Sequence, residues 1–111
     1  MSGTIDHWWM QRVTSLVLIP LSLWFLWAGA SLAGADHATA LAFMQHPVNV
    51  LAAVLLTATG LYHAQAGILT IVEDYVPGNA FPKFLMLITR LGCGLGVLAV
   101  LGLAVKLLFG A

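Results

Sequence analysis

The chain has 111 residues, 61% of them hydrophobic and only 7% charged, and its formal net charge is zero. Soluble domains carry about 25% charged residues, so this chain has too little polar surface to stay dissolved, and without any basic run it is no nucleic-acid binder. What remains is an integral membrane protein of a length that fits one domain, residues 1–111.

The first twelve residues form a short amphipathic opening that contains Asp6, His7, Trp8, Trp9 and Arg12. Paired tryptophans ahead of an apolar run predict an interfacial belt. Residues 13–33 are long enough to span, with Pro20 tolerated inside the span as membrane helices allow. Arg12, Ser15 and Ser22 share a face, which predicts a polar edge turned into a helix bundle. Ala33-Gly34-Ala35 is like a small-residue cleavage site, but the run exceeds a signal-peptide core and lacks a positive leader, so it reads as a retained first helix.

Residues 34–47 connect to the next span and contain Asp36, His37 and His46, with a short surface helix expected around residues 38–45. The two histidines read as loop polar groups. A second span is expected over 48–73, a turn at Pro77, Gly78, Asn79 and Pro82, and a third span over 84–109. Gly92 and Gly96 make a small-xxx-small pattern suited to close helix approach. Cys93 is alone, so no intrachain disulfide forms, and its apolar surroundings mark a packing thiol.

The stretch 61–76, LYHAQAGILTIVEDYV, carries the chemistry. At 1.5 Å per residue His63 lies about 16 Å from Asp74, which places an imidazole near the middle of a bilayer core of about 30 Å and the acid–tyrosine pair at its edge. His63, Gly67, Thr70 and Asp74 fall on one helical face. His63 reads either as a packing group hydrogen-bonded to a neighbouring helix or as a metal or haem ligand. It is the one histidine at this depth, so any second axial ligand must come from another polypeptide. Tyr75 and Asp74 are either commonplace headgroup-level residues or a quinone site, in which the phenol donates to a carbonyl and the acid orients or supplies a proton. Arg12 and Arg90 pair with lipid phosphates or with haem propionates, and Lys83 and Lys106 snorkel. With three spans, Arg12, Lys83 and Arg90 fall on one side and Lys106 on the other, so the positive-inside rule predicts a cytoplasmic N-terminus.

His63-x-x-x-Gly67 followed by Asp74-Tyr75-Val76 resembles the signature of the hydrophobic membrane anchor (D) subunits of succinate dehydrogenase, respiratory complex II. His7-Trp8-Trp9 and Gln11-Arg12-x-Thr14 are similar to that family's start, and length and three-span plan agree, so the resemblance covers nearly the whole chain. Pro77 departs from it, standing where some members carry a polar residue.

The resemblance implies an all-α membrane protein whose three helices join a cytochrome b (C) subunit in a heterodimeric bundle. It implies that His63 is one axial ligand of haem b, that Tyr75 and Asp74 bind ubiquinone, and that Arg12 lies near a haem propionate. An iron–sulfur (B) subunit and a flavoprotein (A) subunit are the implied partners, with succinate oxidised on the flavoprotein. No catalytic residue for the dicarboxylate is expected here, so the chain is a subunit of an enzyme with no activity alone. The expected place is the bacterial inner membrane, since no Arg- and Ser-rich leader is present. Alternatives are the anchor of a fumarate reductase, a structural or assembly subunit without cofactor, and a small transporter, the last disfavoured by few intramembrane charges and no inverted repeat.

Overall fold

A computed structural model describes residues 4–110, apart from the side chains of Thr4, Ile5 and His7, so the resemblance at His7 lies outside the described side chains. Four helices follow one another: α1 (Thr4–Leu32), α2 (His37–Gln45), α3 (Pro47–Tyr75) and α4 (Ala80–Phe109). The expected surface helix is α2. The first helix begins earlier than the predicted span, because the amphipathic opening continues into it without a break. Three segments are long and apolar enough to cross a membrane: Trp8–Leu32, Pro47–Tyr75 and Ala80–Phe109. No strand occurs among the described residues, so the chain is an all-α, multi-pass membrane protein.

Local chemistry sets each helix boundary. The α1 helix runs through Pro20 and ends at a turn in which Gly34 takes a φ of 78°, a left-handed conformation that costs glycine nothing. Asp36 caps α2, its side chain accepting from the Thr39 amide at 2.9 Å. His46 closes α2 and opens α3, its Nδ1 accepting from the Val48 amide at 3.2 Å, and Pro47 follows at the first helical position, where no amide is required. Pro77 stops α3: it holds Val76 in an extended conformation (φ −98°, ψ 117°), and Gly78 at φ 94° then turns the chain into α4.

The α3 helix is the middle element and packs against α1 on one side and α4 on the other, so the three spans form an open layer. Gly96 is the close-approach point on α4. A Cβ placed there would lie 2.8 Å from Leu61 Cδ1 of α3, whereas Gly92 and Gly94 have nothing within 4 Å. Of the small-xxx-small pair, only Gly96 is used within this chain. At the far end, Trp27 of α1 meets Phe43 of α2 (centroids 5.7 Å apart), and Asn49 Nδ2 donates to the Phe43 carbonyl at 2.9 Å.

Little of the chain is buried by itself. Ala28, Val50, Leu69 and Val72 form a thin apolar seam, while Leu16 and Leu95 remain 67% and 66% exposed. The accessible surface is 7598 Å², against about 5,900 Å² for a compact soluble protein of this mass. The excess is leucine-rich helix surface that only lipid or another membrane subunit can cover.

Candidate functional site

The site grows from the contact between α1 and α3. These helices run antiparallel, and two pairings fix their register. Thr14 faces His63, and Gln11 faces Gly67, where a Cβ would lie 3.7 Å from the Gln11 side-chain nitrogen. His63 is two residues from the centre of the 29-residue α3, about 3 Å along the axis, so it sits near the bilayer midplane.

The Thr14 hydroxyl is the only buried polar side chain among the described residues, with 6% exposure. It lies 2.6 Å from the Met10 carbonyl, 3.2 Å from the Gln11 carbonyl and 2.8 Å from His63 Nδ1. A hydroxyl has one proton to give. The shortest of these contacts is to the Met10 carbonyl; with the hydroxyl proton directed there, Oγ1 is left to accept from Nδ1–H, an arrangement that puts the His63 lone pair on Nε2. No hydrogen bond from the described residues reaches Nε2. It is not sealed inside the chain either, since the one buried side-chain nitrogen or oxygen lacking a partner is Gln11 Oε1.

Both sequence readings of His63 thus hold something. The ring is hydrogen-bonded to a neighbouring helix, as a packing histidine would be, but through one nitrogen only. The other presents a lone pair at the surface of the three-helix layer, at a depth where unpaired polar groups are costly. A histidine held by one ring nitrogen while the other is free is the arrangement metal-ligating imidazoles adopt. The residues present therefore fit an axial ligand to iron.

Gly67 does not open a gap at this level, because the Gln11 side chain lies against it at ordinary contact distance; Gly60 has nothing within 4 Å. Tyr75 and Asp74 sit together at the last turn of α3, both exposed, Tyr75 at 79%. Glu73 and Asp74 place negative charge at a helix C-terminus, against the macrodipole, so they do not serve to stabilise the helix.

The structure does not bring Arg12 to His63. Arg12 lies about 200° around α1 from Thr14, is exposed, and its guanidinium carbon sits 5.2 Å from the centre of the Trp8 ring, a cation–π contact. Arg12 and Ser22 are exposed and Ser15 is half-buried, bonded to the Gln11 carbonyl at 2.7 Å, so the polar edge turned inward within this chain is that of Gln11 and Thr14. His37 and His46 lie at opposite ends of α2, about 13 Å apart along it, and no cluster of three or more His, Cys, Asp or Glu fit for a metal occurs among the described residues. Cys93 is free and half-buried.

In the sequence Thr14 stands out only through the resemblance at the start of the first helix. Its partnership with His63 had no local signal, since 49 residues separate them and nothing within either helix sets the register between the two.

Residues 2–105 match the succinate dehydrogenase/fumarate reductase transmembrane subunit family. The chain is 32% identical over 87 residues to the succinate dehydrogenase hydrophobic membrane anchor subunit of Rickettsia felis, a match covering 78% of this chain and 72% of that one. It is 29% identical over 85 residues to the protein of the same name from Rickettsia bellii, covering 77% and 68% of the two chains. It is 31% identical over 85 residues to the succinate dehydrogenase membrane anchor subunit of Reclinomonas americana, covering 70% and 67%. No solved structure matches the chain. With nearly its whole length matched, the chain belongs to the family of succinate dehydrogenase/fumarate reductase transmembrane subunits.

Proposed function

We propose that this chain is the membrane anchor of a succinate:ubiquinone oxidoreductase, supplying one axial ligand to a haem b and one wall of a quinone-reduction site. The observation that carries the reading is the free Nε2 of His63 at mid-membrane depth, its Nδ1 tied to Thr14. The names of the relatives, all succinate dehydrogenase anchors, support the oxidising direction over fumarate reduction.

Each residue has one task. His63 would hold the iron through Nε2, and a cytochrome b subunit seated on the exposed leucine surface would supply the other protein ligand. When bound, the haem supplies a one-electron carrier within the membrane. Tyr75 donates its phenolic proton in a hydrogen bond to a quinone carbonyl, and Asp74 beside it orients the ring or relays a proton as the carbonyl is reduced. Electrons reach that quinone from an iron–sulfur subunit docked at the Tyr75 end and fed by a flavoprotein. Arg12, exposed over Trp8, is free to meet an anionic group, a haem propionate or a lipid phosphate. The Tyr75 end faces the cytoplasm across a bacterial inner membrane, an orientation supported by Arg12, Lys83 and Arg90 on one side against Lys106 on the other.

The test is the haem absorption spectrum of the complex that co-purifies with this chain. His63→Ala is expected to abolish the haem signal while the subunits still travel together. A complex of the same subunits without haem, or with unchanged haem in His63→Ala, would leave a purely structural anchor.

A further inference from the structure

We infer that Thr14 is the positioning residue for His63: its hydroxyl selects the tautomer that leaves Nε2 free and makes the imidazole a stronger donor to iron. The inference rests on the haem reading above and concerns how this chain builds its half of the ligation.

The geometry leaves the hydroxyl little freedom. Its proton is committed to the Met10 carbonyl at 2.6 Å, within the same helix turn, so its remaining capacity is as acceptor. The acceptor faces Nδ1 at 2.8 Å from a side chain that is itself buried. Nδ1–H has no other acceptor among the described residues. If the proton moved to Nε2, Nδ1 would face Oγ1 with two lone pairs opposed, and the iron-binding nitrogen would be blocked. The hydrogen bond thus favours the ligating tautomer before any iron arrives. It also fixes ring rotation about Cβ–Cγ, because the α1 backbone anchors Oγ1.

The second consequence is electronic. A ring that donates a hydrogen bond from its remote nitrogen gains basicity at the ligating one. A more basic ligand favours ferric over ferrous iron and so lowers the haem potential. Thr14, which touches neither iron nor quinone, then sets a property of the cofactor from the opposing helix.

The test uses the intact, assembled complex and three variants. Thr14→Val keeps the shape and removes the acceptor, Thr14→Ser keeps the hydroxyl, and Thr89→Val removes a threonine that only bonds back to the Leu85 carbonyl at 2.8 Å on α4. In Thr14→Val the haem midpoint potential is expected to rise, the electron paramagnetic resonance of the ferric haem to shift, and haem retention to weaken by about 10- to 100-fold. Thr14→Ser is expected to restore all three, and Thr89→Val to match the wild type. A wild-type potential and spectrum in Thr14→Val, or a Thr14→Ser no better than Thr14→Val, would overturn the role. If Thr14→Val does not assemble, the wild-type complex decides. Pulsed resonance on the ferric haem reads the remote ring nitrogen, which must be a hydrogen-bonded N–H; a free or unprotonated nitrogen overturns the inference. His63→Ala keeps the two readings apart, because haem retained there defeats the ligand assignment itself, whereas haem lost there with Thr14→Val unchanged defeats only Thr14.

Discussion

A single hydroxyl does more at the centre of this protein than any charged group. Polar side chains in lipid surroundings must find partners, and Thr14 finds the Met10 and Gln11 carbonyls of its own helix and the His63 ring of α3. The ring therefore uses one nitrogen inside the chain, while the other has no hydrogen-bond partner among the described residues. Tyr75 is the complementary case. At 79% exposure its phenol has no role in holding this chain together, so Tyr75→Phe is expected to leave assembly and haem content intact. Loss of one hydrogen bond to the quinone carbonyl, worth about 1 kcal/mol, should lower kcat/KM for quinone reduction roughly fivefold. Steady-state assays with succinate and a soluble quinone check this, and wild-type turnover would remove Tyr75 from the quinone site.

Helix contacts and helix ends carry the next level. Leu61 of α3, two residues from His63, lies against the Cβ-less face of Gly96 on α4. Gly96→Ala puts a methyl 2.8 Å from Leu61 Cδ1. The leucine must shift, and overpacking of this kind costs about 1–3 kcal/mol. Thermal denaturation in detergent should show a lower midpoint for Gly96→Ala and little change for Gly92→Ala, which meets nothing within 4 Å. The α2 helix hangs on its cap. The Asp36 carboxyl is held below its ordinary 3.8, first by the Thr39 hydroxyl and then by the Thr39 amide. A lowered acid contributes stability above its unfolded value and loses it as pH falls through the depressed one. The first turn of α2 should therefore be firmest at neutral pH and loosen as pH falls from 3.8 through the depressed value, read as faster amide exchange at Thr39 and Ala40 in detergent micelles. Asp36→Ala should show that faster exchange at every pH.

The molecule as a whole leaves much apolar surface for lipid or other subunits to cover. An open layer of three helices leaves α1, α3 and α4 with exposed leucine, and the large accessible surface shows that the chain alone cannot satisfy it. Three crossings put the α1–α2 turn and the α3–α4 turn on opposite sides of the membrane. Single cysteines at Ala35 and Asn79, introduced with Cys93 replaced by serine, should react with a membrane-impermeant maleimide from opposite faces. Asn79→Cys should label only in inverted vesicles and Ala35→Cys only in intact cells. Labelling of both from one face would overturn the three-span arrangement.

Much of this was legible in the sequence, and the reason is physical. Lipid demands about 20 apolar residues per crossing, so composition and run length alone reveal three spans. Pro77 and Gly78 mark a helix end because prolines and left-handed turns act within a few residues of chain. The spacing from His63 to Asp74-Tyr75 likewise translates into depth along one helix. What the sequence could not contain was register between helices. Only tertiary packing set Thr14 against His63, chose Gly96 over Gly92 as the contact glycine, filled the space at Gly67 with Gln11 and turned Arg12 away toward Trp8. Side-chain contacts across two antiparallel helices depend on where their surfaces interlock, and no local rule of either helix encodes that.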